Sequence, residues 1–195
     1  MKKTVAMVLG VVFCSFIFAS LSFAEGFDFE EFQKYLKTLT KADMKYKSVI
    51  IDKFSISDSD KVDREHEPEQ MLKMAEVTLV DILTKSNLFD SVLIRANQPN
   101  PDSAIIVKAE LTDLRVVSST KRLFLGALAG NSGMEIKGAL VKAAGSKVVN
   151  EFNVRDEANA FSGAWTMGGS DRNIAVNVAE QMAAVVVKNS LVERK

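Results

Sequence analysis

From Ala104 to Val117 the sequence AIIVKAELTDLRVV alternates. Ile105, Val107, Ala109 and Leu111 fall on one side of an extended chain, and Lys108, Glu110 and Thr112 on the other. Successive side chains of a strand point to opposite faces, so this period of two predicts a strand with one buried face and one wet face. The pattern returns further on: Met134, Ile136 and Leu140 alternate with Glu135 and Lys137, and Val148, Phe152 and Val154 continue it after AAGS. Gly145 stands where a tight turn needs a positive φ, which makes 134–154 a β-hairpin. Three one-sided strands need an apolar cover, and the rest of the chain must supply it.

Two long segments have helical spacing. After DREHE, Pro68 suits a first helical turn, and Glu65, Glu67 and Glu69 complement the positive end of a helix dipole. Met71, Met74, Ala75, Thr78, Leu79, Ile82 and Leu83 form one stripe. Lys85 favours the C-terminus, and Asn87 can take the left-handed exit. Near the end of the chain, Ile174, Val178, Met182 and Val185 make a second face, broadened by Ala175, Ala179 and Val186, with Ser170 or Asp171 as its cap. The first long helix lies between two apolar runs, YKSVIIDKFSI (about 47–56) and LFDSVLI, which read as the strands of a parallel crossover. FDFEEFQKYLKTL, with Phe29, Phe32, Leu36 and Leu39 spaced 3, 4, 3, is a short amphipathic helix. The expected fold is α+β: a single mixed sheet of about five strands, β-α-β followed by an antiparallel β-hairpin, with two long helices on one face and the other face more polar.

The first residues bear on location. Lys2 and Lys3 precede an uncharged run from Thr4 to Phe23 that ends in Ser22-Phe23-Ala24. This succession is that of a secretory signal peptide cleaved after Ala24; an uncleaved anchor helix is the alternative. Residues 1–24 are therefore assigned to the signal peptide, 25–45 to the short helix and linker, and 46–195 to one α+β domain. The only cysteine, Cys14, lies in the signal segment. It follows Phe13 rather than the small residue of a lipobox, so no lipid anchor is expected. Without residues 1–24 the chain has no disulfide and no thiol nucleophile. The 25 basic and 25 acidic residues balance, which argues against nucleic acid as a partner. The partner expected is an envelope protein or a membrane surface, and the oligomeric state is left open.

Few residues suggest chemistry. The stretch KRLFLGALAGNSGMEIKG (121–138) is rich in glycine, but no Lys follows Gly130 or Gly133 as a P-loop requires. Its glycines do not have dinucleotide-fingerprint spacing, and a strand follows them rather than a helix. Gly126 and Gly130 then serve close backbone approach, or the segment is an exposed apolar contact loop flanked by Lys121 and Arg122. His66 is the only histidine and sits among charges at a helix start. Asp58, Asp60 and Asp63 lack the glycine and closing glutamate of a calcium loop. Arg115 is read as a solvated strand end. A second glycine-rich stretch, ANAFSGAWTMGGSDRN (158–173), holds Phe161 and the single tryptophan, Trp165, which either cap the core or make a contact. The two stretches enter and leave the hairpin, so they are expected to be neighbours. Lys121, Arg122, Leu123, Phe124, Leu125, Phe161 and Trp165 could then form one contact patch, with Gly126, Gly130 and Gly145 as structural glycines. No catalytic, metal or cofactor residue is assigned.

The succession TKRLFLGALAGNSGMEIKGALVKAAGSKVVNEF, with Arg122, Gly126, Gly130 and Gly145 in that order, resembles the bacterial envelope family known as domain of unknown function 4410. The later GGSDRNIAVNVAEQMAAVVVKN is similar to that family's glycine-rich stretch and final alanine-rich helix. The resemblance covers about 46–190. SVIIDKF and LVDILTKSNLFDSVLI are also similar to the N-terminal domain of TolB and to the curli-channel protein CsgG. These likenesses imply an α+β envelope domain with an assembly or interaction role and no catalytic residues to carry over. The reading is a secreted, non-enzymatic accessory or interaction domain. The alternative is a periplasmic small-ligand or carbohydrate-binding protein using the Trp165 loop.

Overall fold

A computed structural model of the chain describes residues 27–95, 101–117, 131–158 and 169–193. Helix α1 (Phe29–Leu36) is followed by strands β1 (Ser48–Ile51) and β2 (Ser55–Ile56) and helix α2 (Pro68–Lys85). Strands β3 (Ser91–Ile94), β4 (Ala104–Arg115), β5 (Ser132–Lys142) and β6 (Val148–Ala158) come next, then helix α3 (Gly169–Ser190). The fold is α+β as expected, with a mixed six-stranded sheet ordered β3-β1-β4-β5-β6 and the two-residue β2 beside β4. β1 pairs in parallel with both β3 and β4, and β4, β5 and β6 run antiparallel.

The alternation read from the sequence fixes the buried face. Ile105, Val107, Leu111, Ile136, Leu140 and Val154 are each at most 1% exposed, and they meet Leu79 and Leu83 of α2 and Val178 and Met182 of α3. α3 is buried on nearly all sides from Ile174 to Val187 because the sheet, α2 and α1 all pack against it. A helix enclosed in this way loses one-sided patterning.

Four details differ from expectation. The strand expected over 47–56 breaks in two: Asp52 Oδ1 accepts the Lys53 N–H at 2.8 Å, a local bond that competes with the ladder, and Phe54 turns into the core. The buried stripe of α2 runs Leu72, Ala75, Glu76, Leu79, Leu83, leaving Met71, Met74, Thr78 and Ile82 half-buried. α3 begins at Gly169, so Ser170 and Asp171 lie within it rather than capping it. The outer face of the sheet is not uniformly polar. One register row crosses it as Leu93, Ile50, Ile106, Val141 and Val148, of which Val148 is half exposed.

Two glycines are required by geometry. Gly145 has φ +72° and Ser146 φ +52°, so the β5–β6 turn uses the left-handed region at consecutive positions, and Gly145 holds the role expected of it. Gly138, in mid-strand, lies under the Phe152 ring and against the Lys108 carbonyl of β4. Asn87 exits α2 at φ +53°.

Candidate functional site at the outer strand

The expected contact patch, Lys121 to Leu125 with Phe161 and Trp165, lies outside the described residues, as do Gly126, Gly130 and residues 1–24. The structure does show where the two glycine-rich segments are rooted. Ser132 opens β5 and pairs with Ala158, which closes β6. Buried Ser132 also accepts the Val117 N–H on its Oγ at 2.9 Å. The chain therefore leaves β4, enters β5 and leaves β6 at one end of the sheet.

β6 forms one wall of a groove of about 1200 Å³, and α3 forms the other. Asn150, Phe152 and Asp156 line it from β6 and Asn177, Glu180 and Gln181 from α3, with Phe27 and Phe29 also in the lining. Asn177 Nδ2 donates to Asp156 Oδ2 at 2.9 Å, and Gln181 Nε2 donates to the Arg155 carbonyl at 3.1 Å. Gln181 is 6% exposed, and its Oε1 has no hydrogen-bond partner among the described residues. The lining also holds Glu135, Glu151, Glu157, Arg155 and Lys188, so amides, charged groups and aromatic rings together can bind polar ligands or extended backbone.

Burial, reinforced by the nearby Asp156 charge, pushes the Glu180 carboxyl up to about 7 from the usual 4.5. Between those values the folded chain holds a proton that the unfolded chain has released, so stability falls as pH rises through this window. Glu180→Gln is expected to match wild type at pH 4 and to exceed it at pH 8 by about 1 kcal/mol, a figure reduced because the group is half in water. Urea midpoints at the two pH values check this; a variant no more stable at pH 8 than wild type contradicts it.

On the sheet's outer face, Arg155 bonds Glu157 through Nε at 3.0 Å and Glu135 through Nη1 at 3.4 Å, with Asp113 at 4.0 Å. Arg115 approaches Glu157 at 3.6 Å and Lys137 approaches Glu135 at 3.3 Å. Each cation is matched by an acid, so the network presents no net charge for an ionic ligand. Arg115 is the solvated strand end expected, the last residue of β4 with its side chain about half exposed, and it lies beside Glu157. His66 Nδ1 meets Asp63 Oδ2 at 2.8 Å at the start of α2. Asp58 lies 3.8 Å from Arg64. Among the described residues no three acidic, histidine or cysteine side chains converge as metal ligands, and no helix is long and apolar enough to cross a membrane.

Residues 38–162, most of the chain, match the family described as Domain of unknown function (DUF4410). The chain belongs to the DUF4410 family. Expectation placed the likeness as far as residue 190, but the DUF4410 match ends before α3, so one wall of the groove lies beyond it. No curated protein matches the chain. Solved structures similar to it include a PelC dodecamer from Paraburkholderia phytofirmans, 12% identical over 71% of this chain and 88% of that one, with TM-score 0.47. A minor lipoprotein from Acinetobacter baumannii is 13% identical over 76% and 98%, with TM-score 0.44. A putative neuraminyllactose-binding hemagglutinin homolog from Helicobacter pylori is 12% identical over 77% and 84%, with TM-score 0.42.

Sequence reading missed the groove. Its residues lie before and in α1, on β6 and on α3, far apart in sequence, and alternation groups Asn150, Phe152 and Asp156 with buried Val154 rather than setting them apart as a site. The one available signal was Asn177, Glu180 and Gln181 recurring at helical spacing on an otherwise apolar helix.

Proposed function

We propose that the chain is an exported, non-enzymatic interaction domain of the bacterial cell envelope. The observation that supports this most is the Ser132–Ala158 pairing, which roots both glycine-rich segments at one end of the sheet. On this reading Leu123, Phe124 and Leu125 of one segment and Phe161 and Trp165 of the other serve one partner surface, edged by Lys121 and Arg122. Export rests on the Lys-Lys, apolar, Ser-x-Ala succession of the first 24 residues.

The test uses protein recovered from the envelope fraction. Its intact mass is expected to lack Met1 to Ala24. Leu125→Asp and Trp165→Ala are expected to keep wild-type urea midpoints yet lose envelope association. If both variants unfold, the residues are core and the contact reading fails. Retained association in folded variants defeats it as well.

The groove favours a second reading, a periplasmic ligand-binding protein. Trp165 lies in the segment joining β6 to α3, the two walls of the groove. Amide side chains beside aromatic rings suit a polyhydroxylated ligand. A saturable change of Trp165 fluorescence on titration with oligosaccharides, lost in Gln181→Leu, distinguishes this reading from the first.

A further inference from the structure

We infer that β6 is a self-pairing edge: two copies of the chain join β6 to β6, antiparallel, about a two-fold axis at Asn153, to form one continuous sheet. The inference stands apart from the proposed envelope partner and does not depend on it.

β6 has 11 residues, and among the described residues it pairs only with β5. An exposed edge of that length is normally blunted by proline, by lysine or by a bulge. From Asn150 to Ala158 there is no proline, glycine or lysine, and the bulge opposite Leu140/Val141 disturbs only the beginning of the strand. Glu151, Asn153, Arg155 and Glu157 are exposed. Gln181 takes the Arg155 carbonyl from the side away from β5, while the Asp156 carbonyl lies on the β5 side, beside Gly133. The odd-numbered residues therefore direct their N–H and C=O groups outward, ready for an antiparallel neighbour.

Charge then selects the register. About an axis at Asn153, Glu151 faces the partner's Arg155, Phe152 faces the partner's Val154, and Asn150 faces the partner's Asp156. No like charges meet, and the bulge-free residues Asn150 to Asp156 all lie within the ladder. An axis at Glu151 sets Lys147 against Arg155, one at Arg155 sets Arg155 against itself, and one at Val154 sets Glu151 against Glu157. An axis at Phe152 avoids like charges but draws the bulged Val149 into the ladder opposite Arg155. The second copy is thus matched to the edge both by backbone parity and by charge. The Arg155 carbonyl keeps a second lone pair for the incoming Glu151 N–H after accepting Gln181.

Sedimentation equilibrium of the exported protein is expected to give a reversible dimer. Asn153→Pro removes an outward N–H without touching the β5 ladder, and Glu151→Lys places a cation against the partner's Arg155. Each is expected to weaken dimerisation about tenfold or more, with an unchanged circular dichroism spectrum. With Cys14→Ser as background, Asn153→Cys is expected to oxidise to a covalent dimer, since paired residues at a two-fold axis have Cα atoms about 5.5 Å apart, within disulfide range. Glu157→Cys is expected to stay reduced. A protein that remains monomeric at about 0.5 mM overturns the inference and leaves the edge to an extended peptide from another protein. A dimer that tolerates folded Glu151→Lys and fails to cross-link through Asn153→Cys overturns it too. Should Asn153→Pro unfold, these two variants decide.

Discussion

Gly138→Ala is expected to lower stability by about 3 kcal/mol, the upper end of what overpacking usually costs. A Cβ on Gly138 would fall well inside van der Waals contact of the Lys108 carbonyl and of Phe152 Cζ, and 2.9 Å from Phe152 Cε1. The ring could swing away, though only by leaving its place over the strand. The carbonyl could not, because it belongs to β4, which the ladder to β5 holds from Ile105 to Arg115. Relief requires two central strands to separate locally. Urea denaturation reads the cost, and Gly138→Ala combined with Phe152→Leu should recover only the share due to the ring. A single variant with the wild-type midpoint would sink the argument.

Arg95→Met is expected to cost about 2–3 kcal/mol. Glu76 sits in the buried stripe of α2 with its side chain 4% exposed. Its Oε2 is held by Arg95 Nη2 at 3.0 Å and its Oε1 by Lys73 Nζ at 3.1 Å. Removing Arg95 strands half of a buried carboxylate. Removing Glu76 instead leaves two cations that are each about half exposed, and these can turn to water. The pair is therefore asymmetric: Glu76→Leu, which also fills the stripe, should cost less than Arg95→Met, and the double variant should be more stable than Arg95→Met alone. A double-mutant cycle measures this. Loss of under about 0.5 kcal/mol in Arg95→Met would show that Lys73 and water suffice.

Glu76 also shows where sequence reading stops. A glutamate between Ala75 and Val77 looks like the wet side of an amphipathic helix, and the arginine that holds it is at the end of β3, which only the crossover brings alongside. The strands were legible because alternation is a local property: Ile105, Val107 and Leu111, or Met134 and Ile136, declare their face within a few residues. Gly145 was legible for the same reason, lying between two alternating runs. Gly138 was not. Its need for a missing side chain arises from Phe152 and Lys108, on two neighbouring strands, and no pattern within β5 announces it. α3 shows the opposite limit. Its predicted face, Ile174 to Val186, is buried, but Ala183, Ala184 and Val187 are buried with it, so periodicity located the helix and understated its enclosure. The groove needed both β6 and α3 at once, and neither carries a motif.

β1 sits in the middle of the parallel part of the sheet, and both of its neighbours come from later in the chain. Ser48 pairs with Ser91 on one side and with Ala104 on the other. β5 and β6, by contrast, are joined by a turn of a few residues. Closing a long loop before any contact rewards it slows a folding reaction, so the hairpin has the cheap closure and β1 the expensive one. Were the chain exported from its N-terminus, as proposed above, this order would have a physical consequence. The strand Ser48–Ile51, buried on both faces in the folded sheet, would emerge before the other strands and gain its second neighbour only when β4 had followed it across. In that interval SVII would be a bare two-sided template, and a holding factor on the far side of the membrane would have its clearest target there.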